Sequence, residues 1–171
     1  MSNPGKESLE IERRFLISMP EKELLRELGA DCREITQTYL LSSDGWSSER
    51  IRMSRRGESV IFTHTKKRRI SHATALEAEQ EITAEQYRAL LLRADPTRGT
   101  LRKRRHTFTV GGQIFEIDVY PFWKRTAILE AELVRACAPL AIPEQIKVIR
   151  EVTGDGRYSN HALALAAVDE P

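Results

Sequence analysis

The chain has 171 residues, of which 40% are hydrophobic and 30% are charged, and 27 basic residues nearly balance 25 acidic ones for a net charge of +2. This length predicts a single domain with a substantial core. The charge balance argues against a dedicated nucleic-acid surface, and the sequence predicts no membrane partner because it has no apolar run of membrane-spanning length.

The ends of the chain and its cysteines place few constraints on function. Residues 1–8 are expected to be a flexible leader of one domain that spans residues 1–171. They lack the apolar core of a signal peptide, so we expect a cytoplasmic protein. Cys32 and Cys137 are isolated, without metal-ligand spacing, and are expected to be reduced and structural.

The first predicted strand, residues 9–17, shows the pattern that recurs along the chain. With a period of two, Glu10, Glu12 and Arg14 lie on one face and apolar side chains lie mainly on the other. An amphipathic helix, the alternative, fits this spacing less well. A charged face backed by an apolar face is unusual when many strands share it, and it predicts strands that line a polar interior.

The remaining elements follow in order. A helix is predicted over residues 20–29, between a proline and a glycine. A capping box of Thr83 and Gln86 opens a second helix, over residues 83–94, and a third covers residues 158–167 with Ser159 or Asn160 as its cap. Turns are predicted at residues 44–45, 56–58 and 111–112. Further strands are predicted over residues 35–41, 49–54, 59–67, 76–82, 101–110, 113–120, 127–133 and 149–153.

Hairpin-length connections imply that neighbouring strands pair in antiparallel fashion. An open sandwich of such strands would bury unpaired charges at prohibitive cost. A closed eight-stranded antiparallel β-barrel with a charged, wet interior, an apolar outside and flanking helices avoids that cost. The predicted fold class is therefore α+β.

Charged motifs in one order extend the argument to a known family. Residues 10–14, EIERR, resemble the ExExK signature of the CYTH superfamily, the triphosphate tunnel metalloenzymes. Arg14 replaces the signature lysine, Thr38 replaces a glycine, and His106 stands where a tyrosine is common. Segments similar to the family's other motifs follow over nearly the whole chain, at residues 37–40, 50–52, 65–67, 77–79, 103–105, 116–120, 130–133 and 150–160.

The residue types in these motifs suggest roles in such a barrel. Basic side chains would bind the phosphates of a triphosphate: Arg14, Arg50, Arg52, Lys67, Arg105 and Arg150, with Lys66 replacing Lys67 if the register slips by one. Mg²⁺ or Mn²⁺ would be held by Glu10, Glu12, Glu130 and Glu132, an assignment that the resemblance also implies. Further lumen carboxylates are expected at Glu77, Glu79, Glu116, Asp118 and Glu151. The resemblance implies a catalytic dyad of Tyr39 and Lys103.

The predicted function is a metal-dependent hydrolase of triphosphates, with inorganic triphosphate cleaved to pyrophosphate and phosphate. One alternative is a class IV-like adenylate cyclase, and another is a nucleotide- or polyphosphate-binding module without turnover. A tunnel open at both ends could accept a nucleoside at one mouth, so ATP is a candidate slow substrate, but the sequence does not show what lies at the mouths. The sequence contains no motif for an adenine pocket, and it leaves the oligomeric state open.

Overall fold

The computed structural model describes residues 6–41, 46–135, 138–165 and 170–171. The β-strands in these ranges are β1 (Lys6–Ser18), β2 (Asp31–Leu40), β3 (Ser48–Arg56), β4 (Ser59–Arg69), β5 (Thr74–Ile82), β6 (Leu101–Val110), β7 (Gln113–Val119), β8 (Thr126–Glu132) and β9 (Val148–Glu151). The helices are short: α1 (Lys22–Glu27), α2 (Ala84–Leu91), α3 (Asn160–Leu163) and a 3-10 turn at Gly156–Tyr158.

Strands β1 to β8 close into a barrel in the order β1-β5-β4-β3-β2-β6-β7-β8, with β8 returning to β1. Every pairing is antiparallel. Strand β1 closes the ring because its first half pairs with β5 and its second half with β8. The short strand β9 adds to β1 outside this ring of eight. The predicted closed eight-stranded antiparallel barrel is confirmed.

Local sequence signals produce the expected turns and caps. The β6–β7 hairpin turns at Gly111 and Gly112, whose φ angles of 58° and 78° are unstrained only for glycine. At the start of α2, the Thr83 hydroxyl accepts from the Gln86 amide at 3.2 Å, and the Gln86 side chain accepts from the Thr83 amide at 2.8 Å. Both orphan amides of the predicted capping box are therefore satisfied.

The outside of the barrel is apolar where helices cover it, as predicted. Leu24 and Leu25 of α1 pack on a cluster that includes the buried Phe15 and Leu129. Tyr87 of α2 packs on a second exterior cluster, which includes Leu40, Ile51 and Ile82. These contacts leave the alternate residues of the same strands to point into the barrel.

One end of the barrel interior is filled by apolar side chains. Leu16, Leu101 and Ile128 point inward from three strands, and they pack against side chains of the C-terminal segment. We call the following cluster the apolar plug: Leu16, Tyr39, Leu101, Tyr120, Trp123, Ile128, Val152, Tyr158, Leu163 and Ala164. The C-terminal segment therefore folds back into one end of the barrel, which the sequence left undetermined.

Two boundaries differ from the predictions. Strand β1 begins at Lys6, inside the segment expected to be a leader. Ser159 is confirmed as the cap of the third helix, since its hydroxyl accepts from the Ala162 amide at 3.1 Å. The helix α3 nevertheless covers only Asn160–Leu163, and Tyr158 belongs to the preceding 3-10 turn. Cys137 and the predicted turn at residues 44–45 lie outside the described residues, whereas Cys32 is a free, exposed thiol. Within the described ranges, none of the helices has the length and apolar character needed to cross a membrane.

Candidate active site

Charged side chains line a cavity of about 300 Å³ in the barrel interior, which we call the charged cavity. Seven carboxylates and five basic groups line it, together with one amide. The twelve charged residues point inward from the strands, as their period-two pattern in the sequence predicts, whereas the amide belongs to helix α3. The lining comprises Glu10, Glu12, Glu77, Glu79, Glu116, Glu130, Glu132, Arg14, Arg50, Arg52, Lys67, Arg105 and Asn160.

Arg14 and Arg105 form ion pairs with several carboxylates of the charged cavity. Arg105 binds Asp118 through two hydrogen bonds of 2.7 Å and donates to Glu130 at 2.6 Å. Arg14 lies 2.8 Å from Glu12 and 3.1 Å from Glu130. Burial opposes ionisation of Glu130, but Arg14 and Arg105 outweigh it and hold the pKa of this carboxyl well below its usual value. Glu130 is therefore ionised at neutral pH.

Other carboxylates repel one another. Glu12 on β1 lies directly opposite Glu132 on β8, an arrangement of like charges that destabilises a sheet. Burial and the nearby Glu130 raise the pKa of Glu12, while burial and Glu10 raise the pKa of Glu132. A cation between these carboxylates would relieve the repulsion.

The chemistry of these carboxylates suits a hard divalent cation, which prefers oxygen ligands. In the part of the chain that the structure describes, no three His, Cys, Asp or Glu side chains are arranged closely enough to hold a metal ion. Instead, Lys67 contacts Glu10 and lies 3.0 Å from Glu77, and Arg14 contacts Glu12. The charge and donor atoms fit Mg²⁺ or Mn²⁺, but here basic side chains neutralise the carboxylates.

Arg50 and Arg52 have far fewer partners than Arg105. Arg50 donates to Glu77 at 3.3 Å, and Arg52 donates to the side-chain oxygen of Gln37 at 3.4 Å. Their Nε atoms are buried and have no acceptor among the described residues. Loss of solvent and repulsion from Arg50 and Arg105 lower the pKa of Arg52 to about 10. This part of the cavity therefore holds two guanidinium groups, each with a buried N–H donor that has no acceptor among the described residues.

Lys103 and Asn160 connect the charged cavity to the apolar plug. The Lys103 side chain is fully buried; its Nζ contacts Asp118 and donates to Asn160 Oδ1 at 3.3 Å. The same Oδ1 accepts from the Tyr120 hydroxyl at 2.7 Å. Burial and the neighbouring Arg105 lower the pKa of Lys103 to about 8. Sequence reasoning considered Asn160 as a helix cap but missed its place in the site, although it belongs to the closing motif.

Tyr39 belongs to the apolar plug, but its hydroxyl has a polar partner. The ring packs edge-on against His161, with centroids 4.8 Å apart, and the hydroxyl accepts from Gln37 Nε2 at 2.7 Å. Tyr39 and Lys103 therefore hydrogen-bond to different groups. Their joint action as a dyad stays a prediction.

Several predicted positions can now be placed. Lys67, rather than Lys66, lines the cavity, and Asp118 is buried beside it in contact with Arg105. The prediction that Glu151 lies in the lumen is wrong: this residue is exposed on β9 and accepts from Arg13 at 2.6 Å. Arg150 is also exposed on β9, where it contacts the Tyr158 hydroxyl, so the structure does not bring it into the cavity. Both residues are excluded because β9 lies outside the closed ring.

Comparisons with known proteins agree with this geometry. The CYTH domain family matches residues 8–134. The crystal structure of a protein described as the inorganic triphosphatase NE1496 is 28% identical and has a TM-score of 0.54, covering 92% of this chain and 98% of its own. The PH1819 protein from Pyrococcus horikoshii OT3, 24% identical with a TM-score of 0.55 over 74% of this chain and 78% of its own, shows the same fold. No curated protein matches the chain.

Proposed function

The chain belongs to the CYTH domain family, and we propose that its charged cavity hydrolyses inorganic triphosphate to pyrophosphate and phosphate. A structural relative that covers nearly the same length is described as an inorganic triphosphatase, which supports this choice of substrate. The residues that line the cavity are suited to binding a charged chain rather than an apolar ligand.

The observation that carries the proposal is the pair of unsatisfied, buried Nε donors of Arg50 and Arg52. Both buried Nε atoms lack acceptors among the described residues, and an unpaired buried donor costs about 1–3 kcal/mol. Arginine offers its N–H groups in a planar fork that matches phosphate oxygens. A phosphate group in this part of the cavity would accept from both side chains and balance their charge.

A divalent cation is part of the proposal because the cavity lining is acidic overall. Seven carboxylates face five basic groups before any ligand enters, and a triphosphate adds about four more negative charges. Glu10, Glu12, Glu130 and Glu132 would hold Mg²⁺ or Mn²⁺. Such an ion supplies charge neutralisation on the phosphate oxygens during phosphoryl transfer.

The protein's own side chains would bind and orient the substrate. Arg50 and Arg52 hold the phosphate chain, with Arg14, Lys67 and Arg105 completing the positive surface. Water attacks the terminal phosphorus; a new P–O bond forms as the bridging P–O bond breaks, and its electron pair leaves on pyrophosphate. The proton of the water passes to solvent. Tyr39 and Lys103 remain candidates for direct assistance at the inner end of the cavity.

The test is phosphate release from inorganic triphosphate, ATP, thiamine triphosphate and pyrophosphate, each with Mg²⁺ or Mn²⁺. We expect the fastest turnover with inorganic triphosphate, loss of activity with EDTA and recovery on adding the metal back. Cyclic AMP as the main product from ATP would overturn the proposal in favour of a cyclase. Tight triphosphate binding without phosphate release would instead indicate a binding module.

Removing carboxylate ligands tests the metal assignment. Glu12→Gln and Glu132→Gln should each lower turnover by tens-fold or more, because metal ligands and their supports are sensitive to such changes. Neutralising Glu132 should also raise the melting temperature of the EDTA-treated protein, since its raised pKa shows that the fold disfavours its charge. Glu58→Gln, in the exposed β3–β4 turn, is the matched control. Full activity in both cavity variants would remove the metal assignment.

A further inference from the structure

Gln37 on β2 is a fully buried polar side chain, 0% exposed, that links two residues of the candidate site. Its Oε1 accepts from Arg52 Nη2 at 3.4 Å, and its Nε2 donates to the Tyr39 hydroxyl at 2.7 Å. Sheet register makes this link possible, because Gln37 lies opposite Arg52 and Tyr39 lies opposite Arg50 on β3. Neither sequence pattern nor the preceding proposal assigns Gln37 a role.

The direction of these hydrogen bonds follows from chemistry. A guanidinium only donates, so the amide oxygen of Gln37 must face Arg52. The amide nitrogen must then face Tyr39, and the Tyr39 oxygen must accept. The hydroxyl proton of Tyr39 is therefore directed away from Gln37, and it has no acceptor among the described residues. Burial raises the pKa of Tyr39, so the proton is retained at neutral pH.

The position of Tyr39 indicates where that proton points. Its ring lies in the apolar plug, but among the described residues its hydroxyl makes no hydrogen bond to a plug side chain. The hydroxyl lies instead beside Gln37, which binds the cavity-lining Arg52. The electrostatic influence of Arg50 and Arg52 reaches the hydroxyl, since both act to lower its pKa against the larger effect of burial. A ligand bound to these arginines would present oxygens close to the Tyr39 proton.

We propose that Gln37 is a positioning residue that directs the Tyr39 O–H toward an oxygen of the triphosphate bound at Arg50 and Arg52. This inference rests on the proposed triphosphatase function. Gln37 acts through its two neighbours: it orients the Arg52 guanidinium, and it makes the Tyr39 hydroxyl a hydrogen-bond donor to substrate. The donated bond strengthens as charge develops on the phosphate oxygens during bond cleavage.

The diagnostic variant is Gln37→Glu, which keeps the shape of the side chain but reverses one hydrogen bond. An ionised carboxylate only accepts hydrogen bonds, so Glu at position 37 would still accept from Arg52. It would also accept from the Tyr39 hydroxyl, whose O–H would then point toward residue 37 and away from the substrate. We expect kcat for inorganic triphosphate to fall roughly 100-fold, the scale for losing one transition-state donor. KM should rise by a smaller factor because of the added negative charge. A role limited to filling space would leave kcat unchanged.

A double-mutant cycle separates hydroxyl direction from charge. Tyr39→Phe should lower kcat about as much as Gln37→Glu, and the double variant should be no slower than Tyr39→Phe alone. Melting temperatures of all three variants show whether the fold persists. If Gln37→Glu does not fold, Gln37→Met provides the second test: it frees Arg52 and should raise KM, and it should lower kcat only when Tyr39 is present.

Each outcome decides the inference. Wild-type kcat in a folded Gln37→Glu variant overturns it, and so does a further loss of kcat when Gln37→Glu is added to Tyr39→Phe. If Gln37→Met replaces the first variant, unchanged KM and kcat overturn it. A wild-type protein that does not hydrolyse triphosphate overturns the proposed function, and the inference with it, so the two failures are distinguishable.

Discussion

At the scale of single residues, basic side chains of the cavity differ in how fully they are neutralised. Arg105 is surrounded by Glu116, Asp118 and Glu130, whereas Arg50 and Arg52 each make one long side-chain hydrogen bond. A group whose charge is already balanced gains less from an incoming phosphate. The two arginines of β3 are therefore the residues whose removal should weaken substrate binding most.

We predict that Arg50→Ala and Arg52→Ala each raise KM for inorganic triphosphate about tenfold or more, with a smaller change in kcat. Both contacts exist in the bound ground state as well as in the transition state, so their loss reduces binding throughout the reaction. Steady-state kinetics measures the effect. Arg55→Ala changes an exposed arginine of the same strand and should leave KM as it is; an equal rise in that control would indicate a long-range charge effect.

Lys103 gives a prediction on pH and stability. The pKa of Lys103 is about 8 in the fold and 10.5 in the unfolded chain. It is lowered because burial and Arg105 oppose the charged form more than Asp118 and Glu130 favour it. Between these two pKa values, Lys103 is mostly protonated in the unfolded chain and mostly neutral in the folded protein. The free energy of unfolding should therefore rise with pH, by at most about 1.4 kcal/mol per pH unit. Repulsion from Arg52 also lowers the pKa of Lys103.

Denaturant unfolding between pH 8 and pH 9.5 measures this contribution. Lys103→Met removes the titrating group, while Asp118 keeps its two bonds from Arg105. The free energy of unfolding of the wild type should therefore rise more steeply with pH than that of the variant. Equal slopes would contradict a lowered pKa for Lys103.

At the scale of elements, helix α3 contacts both the apolar plug and the charged cavity. Leu163 enters the apolar plug, Asn160 reaches the charged cavity, and the α3 carbonyl of His161 accepts from Arg98 at 2.6 Å. This short helix thus contributes one residue to the apolar plug and one to the charged cavity. We therefore expect changes in this helix to affect both stability and substrate binding.

Leu163→Ala should lower the free energy of unfolding by about 2 to 5 kcal/mol, since it leaves a cavity in a closely packed cluster. The plug would then close the barrel less firmly, so we also expect weaker discrimination between inorganic triphosphate and ATP. Denaturant unfolding and the ratio of kcat/KM values measure the two effects. Leu165, 52% exposed, provides the control through Leu165→Ala, which should change neither. Equal stability of both variants would contradict the assigned packing.

At the scale of the whole molecule, a barrel filled at one end limits which substrates fit. The charged cavity has a volume of about 300 Å³, and the apolar plug fills the other end of the barrel. On the proposed function, we expect a phosphate chain to enter the cavity and a nucleoside to be stopped by the plug. If ATP binds, its nucleoside is therefore expected at the open end. Pyrophosphate fits but engages fewer of the opposed basic groups.

We therefore predict that kcat/KM for inorganic triphosphate exceeds that for ATP at least about tenfold, a barrier difference of about 1.4 kcal/mol. Pyrophosphate should be a poor substrate as well. Competition between the substrates in a phosphate-release assay, at fixed free metal concentration, measures the ratio. Equal values for ATP would show that the plug does not restrict access.

The sequence alone determined the faces of the strands and much of the candidate site. Alternation with a period of two is a local property of an extended chain, so charges at Glu10, Glu12 and Arg14 had to share a side. Turn and cap signals such as Gly111, Gly112 and the Thr83 capping box act within a few residues, and they predicted their elements correctly. The charged faces also required a closed barrel, because burial of unpaired charge is costly.

Only the tertiary structure decided which inward residues meet. Glu12 lies opposite Glu132, and Gln37 opposite Arg52, because of strand pairings between distant parts of the chain that no local pattern specifies. The same long-range pairing put β9 outside the ring, which removed Glu151 from the lumen. The apolar plug likewise depends on a C-terminal segment that folds back across the barrel: packing of distant apolar surfaces, rather than periodicity, closed the end that sequence reasoning left open.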